Sequence, residues 1–358
     1  MTRASIGIVG TSWWAEAMYL PALASHENSD VVGLCSRNND RVESLADKWS
    51  VPRRFTDWTE MLESDDIDAV IIATPNDLHH PIALAALERG LGVLCEKPLA
   101  IDAALASEMA SAASDAGTAT MVPFTYRWMP VFATAKRVLD RAAIGDIHHF
   151  TLRYLSDSAR NRADEWRYDP SVPGAGVIAD LGSHFLHVAE WLNGPMVEIA
   201  ALVATHRSPD LAHTDAEDSA LLTCRFENGS LGHIQACAMS WAATPMGQIH
   251  ELDVHGSIGR LTALNDWNTV QEVRLVDGDA TSPGELVDLE TPDGVRTDTV
   301  GHTYKDIFRN TESMAREWAT AVANRELCQP DFASGARVQH LIDAALVSAH
   351  NNGRLVEV

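Results

Sequence analysis

A chain of 358 residues, 46% of them hydrophobic, is long for one core and natural for two domains. Its net charge of −23 argues against nonspecific binding to nucleic acid, and no apolar run approaches the roughly 18 residues of a membrane span. Five cysteines, odd in number and without a CxxC pair, argue against a disulfide framework and point to a reducing cytoplasm. The first residues enter a strand pattern directly and leave no apolar stretch for a signal peptide.

In chain order, residues 6–9 read as a strand that runs into Gly10. The turn Gly10-Thr11-Ser12-Trp13-Trp14-Ala15 is an imperfect G-x-G-x-x-G/A fingerprint. Gly10 permits a tight turn and Ala15 close helix packing, while Ser12 stands where a glycine would let backbone approach a pyrophosphate. By itself this turn is as much a plain strand–helix junction as a phosphate site. Residues 31–35 form a second strand, ending at Cys35-Ser36-Arg37, with Arg41 one turn further on. No carboxylate stands there to hold a ribose 2′-hydroxyl, and a guanidinium suits a 2′-phosphate. The reading is NADP, with NAD as the alternative.

Residues 40–49 are helical in pattern, 51–55 a short strand and 58–62 a short helix. The strand at 67–72 ends at Ala73-Thr74-Pro75-Asn76, and a helix follows over 81–89. A fourth apolar run, 92–95, leads into Glu96-Lys97-Pro98. Alternating strands and helices imply a parallel sheet, whose ligands lie beyond the carboxyl ends of the strands. Lys97, one of only four lysines, therefore stands where a dinucleotide would lie. A helix over 102–117, capped by Asp102, and a last strand over 120–123 complete a doubly wound first domain, 1–123.

Within the second domain, 124–358, a glycine turn at Gly174–Gly176 leads into a helix over 181–193. Asp180 and His184, four apart, project to one side; the plain alternative makes Asp180 an N-cap and His184 a packed residue. Strands are expected at 197–205, 219–226, 231–239, 249–254 and 259–263, with Asn228-Gly229 as a hairpin turn. Helices are expected at 308–324 and 333–351. A broad antiparallel sheet with one face left open suits a homo-oligomer, a dimer or tetramer. The histidines at 79, 80, 148, 149, 184 and 187 have no zinc-type spacing, so no metal site is expected.

Together these residues resemble the glucose–fructose oxidoreductase / inositol dehydrogenase (Gfo/Idh/MocA) family. The matches are the first turn with Leu20-Pro21-Ala22-Leu23, the 67–76 segment with His79, Glu96-Lys97-Pro98, and Tyr126-Arg127. Residues 143–147, Trp166-Arg167, and Gly174-Ala175-Gly176 with the 180–184 segment complete the set. The resemblance implies a Rossmann domain followed by an α/β domain with an open, mostly antiparallel sheet. It implies an NAD(P)-dependent oxidoreductase acting on a sugar, sugar derivative or cyclitol. Lys97, Asp180 and His184 would be catalytic, and Glu96 would neighbour the nicotinamide ribose. Thr74, Pro75, Asn76 and His79 would line the cofactor, along with Gly10, Ser12, Trp13, Trp14, Ser36, Arg37 and Arg41. Tyr126, Arg127, Trp166 and Arg167 would face substrate, although a Trp-Arg pair is as readily packing plus a surface ion pair. The family often carries Asp three residues after the histidine; here His187 stands instead, read either as a second substrate-facing ring or, preferably, as a helix-surface residue.

Alcohol oxidation needs hydride loss from carbon and proton loss from oxygen. A lysine lowers the alcohol pKa, a histidine takes the proton, and a carboxylate fixes the imidazole tautomer. On this reading Lys97 and His184 both reach the cleft between the domains. Two rival functions fit the same family: a glycosidase using a transient redox cycle on bound NAD, and a non-catalytic cofactor-sensing regulator.

Overall fold

The structure, a computed structural model, describes residues 3–161, 167, 169, 171–172, 174–206, 216–241, 247–267, 270–278, 281 and 283–358. Trp166, expected near substrate, lies outside the described residues. The chain divides into two compact units, residues 1–123 with 305–339, and residues 124–304 with 340–358.

In the first unit, strands β1 (Ala4–Val9), β2 (Ser29–Cys35), β3 (Arg53–Phe55), β4 (Ala69–Ile72), β5 (Gly92–Cys95) and β6 (Thr120–Met121) form a parallel sheet. The order is β3-β2-β1-β4-β5-β6, with the reversal between β1 and β4 that marks a dinucleotide-binding fold. Every residue of β4 and β5 is buried, as strands covered on both faces require. Gly10 is fixed by packing as well as by its turn. Its φ is +109°, and a Cβ there would come within 2.3 Å of the Ala73 carbonyl oxygen beyond β4.

Residues 305–339 belong to this unit, although the sequence pattern assigns the whole of 124–358 to one domain. The physical reason is a set of side chains that satisfy main-chain carbonyls of the first 123 residues. The fully buried Trp318 indole N–H donates to Ala119 O at 3.1 Å. Arg309 and Arg316 donate to Ala17 O and Ala22 O at 2.8 and 3.0 Å. The helix expected over 308–324 is two helices, Val300–Asn310 and Ala315–Asn324, separated by Met314 at a φ of 47°.

The second unit is built on a nine-stranded sheet of β7 (Ile147–Ser156), β8 (Met196–Ala204), β9 (Ser219–Phe226), β10 (Leu231–Cys237), β11 (Gln248–Gly256), β12 (Gly259–Asp266), β13 (Val270–Asp277), β14 (Glu285–Val287) and β15 (Val356–Glu357). Their order is β14-β13-β12-β11-β7-β10-β9-β8-β15. The β7–β10 pair is parallel and the other pairs are antiparallel, so the sheet is mixed and mostly antiparallel. Strict alternation of buried and exposed residues along β9 gives the sheet one covered face. On the other face Leu202, Leu221 and Leu231 remain exposed. The helices Pro130–Asp140 and Ser183–Asn193 pack on the covered face, against β12 and β13 and against β7. Near the end of the helix Phe332–His350, the buried Ser348 hydroxyl accepts from Ala201 N at 2.9 Å and donates to Arg354 O at 2.7 Å.

Candidate active site

In the first unit the site residues gather at the carboxyl ends of β1, β2, β4 and β5. Ser12 caps the helical segment after the turn: its hydroxyl oxygen accepts from Ala15 N at 3.2 Å. That segment opens with a π-helical turn, Ala15–Tyr19, and leaves the Trp13 indole 62% exposed beside the turn. At the end of β2, Arg37 is exposed and has no side-chain partner among the described residues. Arg41 is instead turned toward Glu16, with which it forms an ion pair that Lys48 shares at 2.8 Å. Beyond β4, Thr74 Oγ1 is buried without a hydrogen-bond partner among the described residues, while Asn76 is buried and Pro75 exposed.

The segment Glu96-Lys97-Pro98 follows β5, with a cis Lys97–Pro98 bond. Lys97 and Glu96 are half-buried. One Glu96 oxygen accepts from the Tyr19 hydroxyl and the other from Lys97 N at 3.2 Å. His79 is fully buried, with Nδ1 at 3.0 Å from Pro98 O and Nε2 at 3.1 Å from Thr74 O. Both ring nitrogens are therefore spent on main chain, and His79 braces the loops around the site instead of presenting a polar atom to a ligand. Burial pushes its pKa down, and the carbonyls pull partly against that.

A dinucleotide fits this unit. The strand order, the tight approach at Gly10, the capped helix start beside the turn, the orphaned Thr74 hydroxyl and the exposed Arg37 match what a pyrophosphate and a phosphorylated ribose need.

In the second unit, Asp180 lies within a π-helical turn, Ile178–Gly182, that runs without a break into the helix Ser183–Asn193. Asp180 is therefore inside the helical segment, and the N-cap alternative does not hold. Its carboxylate forms an ion pair with Arg167, Oδ1 to Nε 3.4 Å, which gives Arg167 a place beside it. His184 is 8% exposed and meets the Tyr126 ring edge-on, centroids 5.1 Å apart at 85°. Tyr126 is buried; its hydroxyl lies 2.7 Å from the Tyr154 hydroxyl and 2.9 Å from Gln248 Oε1. What Tyr126 offers the site is its ring. Arg127 lies over Trp128 and Trp191, 5.4 and 5.5 Å from their ring centroids.

His187 is buried, contrary to the helix-surface expectation. It stacks on Phe124 with centroids 4.4 Å apart at 14°, and its Nε2 has no hydrogen-bond partner among the described residues. Burial, and then the Arg127 charge, push its pKa down to about 3. The i, i+3 spacing to His184 was the signal that could have placed both rings on one side. Residues not singled out from the sequence include Tyr19, Phe124, Tyr154, Gln248 and His250. His250 is fully buried, accepts from Asn265 Nδ2 at 2.9 Å and sits among Tyr126, Tyr154 and Phe185.

Comparison with known proteins agrees with this geometry. Residues 4–124 match the model of the oxidoreductase family with an NAD-binding Rossmann fold, and residues 132–262 match the GFO/IDH/MocA C-terminal domain. Levoglucosan dehydrogenase of Pseudarthrobacter phenanthrenivorans is 27% identical, covering 88% of this chain and 86% of that protein. An NADP-dependent D-xylose 1-dehydrogenase of Haloferax volcanii is 28% identical over 98% of this chain and 99% of its own. The solved structure of levoglucosan dehydrogenase in complex with NADH superposes with a TM-score of 0.87 at 26% identity, covering 100% of this chain and 99% of that one. A fully built dinucleotide fold, an open mixed sheet and these two matched models lead to one conclusion: the chain belongs to the Gfo/Idh/MocA family of NAD(P)-dependent oxidoreductases.

Proposed function

We propose that the protein is a dehydrogenase that oxidises a secondary hydroxyl of an uncharged sugar, sugar derivative or cyclitol, with NADP preferred over NAD. The observation that carries the reading is Lys97 at the carboxyl end of β5, in a parallel sheet whose order is that of a dinucleotide site. The relatives support the substrate class: they are named as dehydrogenases of levoglucosan, D-xylose, D-apiose and scyllo-inositol. When bound, the nicotinamide supplies the hydride acceptor. The Lys97 ammonium lowers the pKa of the reacting hydroxyl, and His184 takes its proton. Asp180, held by Arg167, keeps a negative charge on the helix that carries His184. His187, whose ring stays neutral, suits a hydroxyl partner better than a carboxylate.

Arg37 is the candidate for the 2′-phosphate, and Arg41 braces the turn through Glu16. Arg37→Ala should weaken NADP binding by about 10- to 100-fold, the scale of a lost charge-assisted hydrogen bond, and barely change NAD binding. Equal losses for both cofactors in a fluorescence titration would remove the NADP assignment. The exposed leucines of the open sheet face support a homo-oligomer, which sedimentation would test. Among the described residues no helix is long and apolar enough to cross a membrane, and the five free cysteines favour a reducing cytoplasm. The deciding experiment is a screen of sugars and polyols with both cofactors, following nicotinamide absorbance. Net reduction of cofactor supports a dehydrogenase; glycoside cleavage without it would favour a redox-cycling hydrolase, and binding without turnover a regulator.

A further inference from the structure

The first unit contains a buried hydroxyl whose partner is the neighbour of Lys97. Tyr19 is fully buried at the end of the π-helical turn Ala15–Tyr19, which follows the phosphate turn directly. Its hydroxyl donates to Glu96 Oε1, a contact between residues 77 apart in the chain. Glu96 Oε2 accepts from Lys97 N at 3.2 Å, and Glu96 N donates to Ile72 O at 2.9 Å at the end of β4. Each carboxylate oxygen of Glu96 therefore has a fixed partner, and one of them is the backbone of Lys97 itself.

We propose that Tyr19 is a positioning residue for Lys97, acting through Glu96 by holding that carboxylate ionised and in one orientation at the end of β5. An O–H donor to a carboxylate favours its charged form. The phenol is a dependable donor: burial and the nearby Glu96 charge both push its pKa well above the usual value, so the proton stays on the hydroxyl oxygen. The carboxylate then stands one residue from Lys97, where by accepting from the Lys97 amide it orients the peptide from which the side chain departs. A phenylalanine would fill the same space, so packing alone does not call for the hydroxyl. The π-helical turn provides the reach: its wider winding shifts the phase of the helical segment, which continues through Leu20–Ala24, and brings Tyr19 onto Glu96.

This inference rests on Lys97 being the catalytic lysine of a dehydrogenase, and its test keeps the two apart. If the parent protein reduces neither cofactor with any polyol, the dehydrogenase reading itself fails. In an active parent, Tyr19→Phe should lower kcat roughly tenfold, the scale of one charge-assisted hydrogen bond, with cofactor Kd nearly unchanged and the protein still folded at the assay temperature. The acidic limb of the kcat profile should move to higher pH, because Glu96 without its donor is more readily protonated. Combining Tyr19→Phe with Glu96→Gln should cost no more than Glu96→Gln alone. A second readout needs no turnover: the carboxyl infrared band that disappears in Glu96→Gln should titrate at higher pH in Tyr19→Phe than in the parent, in protein free of cofactor. Parent-like kcat and pH profile in Tyr19→Phe, an unmoved infrared titration, or fully multiplicative losses in the double variant would each overturn the proposal.

Discussion

Around Lys97 the chain is held by hydrogen bonds, whereas around His184 it is held by rings. In the first unit the His79 nitrogens lie on the carbonyls of Thr74 and Pro98, and the Tyr19 hydroxyl and Lys97 amide both donate to Glu96. In the second, His184 meets Tyr126 edge-on, His187 stacks on Phe124, and His250 lies among Tyr126, Tyr154 and Phe185. Hydrogen bonds fix direction and lose most of their strength with misalignment. Ring packing fixes position less sharply, but it excludes water and so disfavours the charged form of His187 and His250. The Lys97 segment is thus held in direction, and the His187 and His250 rings are held away from water.

The largest test of this contrast is to remove the supported groups. Lys97→Ala and His184→Ala should each lower kcat by about 10²–10⁴, the usual worth of an acid/base group, while cofactor affinity measured by fluorescence changes little. Asp180→Asn should act mainly through His184, so the double variant with His184→Ala should cost less than the product of the singles. Full turnover by Lys97→Ala would end the catalytic assignment.

Next comes pH. Burial pushes the pKa of His187 and of His250 down to about 3. Unfolding exposes both rings, which then titrate near 6.5, so between about pH 6.5 and 3 the unfolded chain binds more protons and stability falls with pH. From pH 7 to 5 each ring should cost about 2 kcal/mol. Urea midpoints across that range should show the slope, and His250→Gln should remove about 2 kcal/mol of the loss between pH 7 and 5. An unchanged slope would mean that the ring packing does not keep His250 neutral.

Smaller again is the effect of His79→Phe, which keeps a ring but removes the imidazole N–H that donates to one of the two loop carbonyls; about 1–3 kcal/mol of stability should be lost. Tyr126→Phe keeps the ring under His184 and removes only the contact to Tyr154 and Gln248, so about 1 kcal/mol is expected. Chemical denaturation of the two variants compares the two modes of support directly. A larger loss for Tyr126→Phe than for His79→Phe would reverse the contrast.

What was legible in the sequence was local. Glu96-Lys97-Pro98, the Gly10 turn and the Asn228-Gly229 hairpin are set by neighbours in the chain, and apolar runs mark β4 and β5 because both faces of that sheet are covered. β7, at the centre of the second sheet, is not among the expected strands, although Thr151 and Arg153 alternate with the buried Phe150, Leu152 and Tyr154 in the period of a half-covered strand. Asp180 resembled an N-cap because a π-helical turn offers no apolar repeat at 3.6 residues to extend the helix backward. Tyr19 and Gln248 owe their roles to partners 77 and 122 residues away, which no local pattern encodes.

The return of residues 305–339 to the first unit also sets a timetable for synthesis. The Ala119 carbonyl leaves the ribosome 199 residues before the Trp318 indole that satisfies it. At roughly 5–20 residues per second, that delay lasts about 10–40 seconds. Throughout it the nascent dinucleotide-binding sheet has strands enough to form, yet lacks the helix Ala315–Asn324 that completes its cover. Non-local closure of this kind slows folding and leaves apolar surface open to chaperones in the meantime. A fragment cut after Pro123 would remain in that unfinished state permanently, so the smallest self-contained piece of the first unit is discontinuous in the gene.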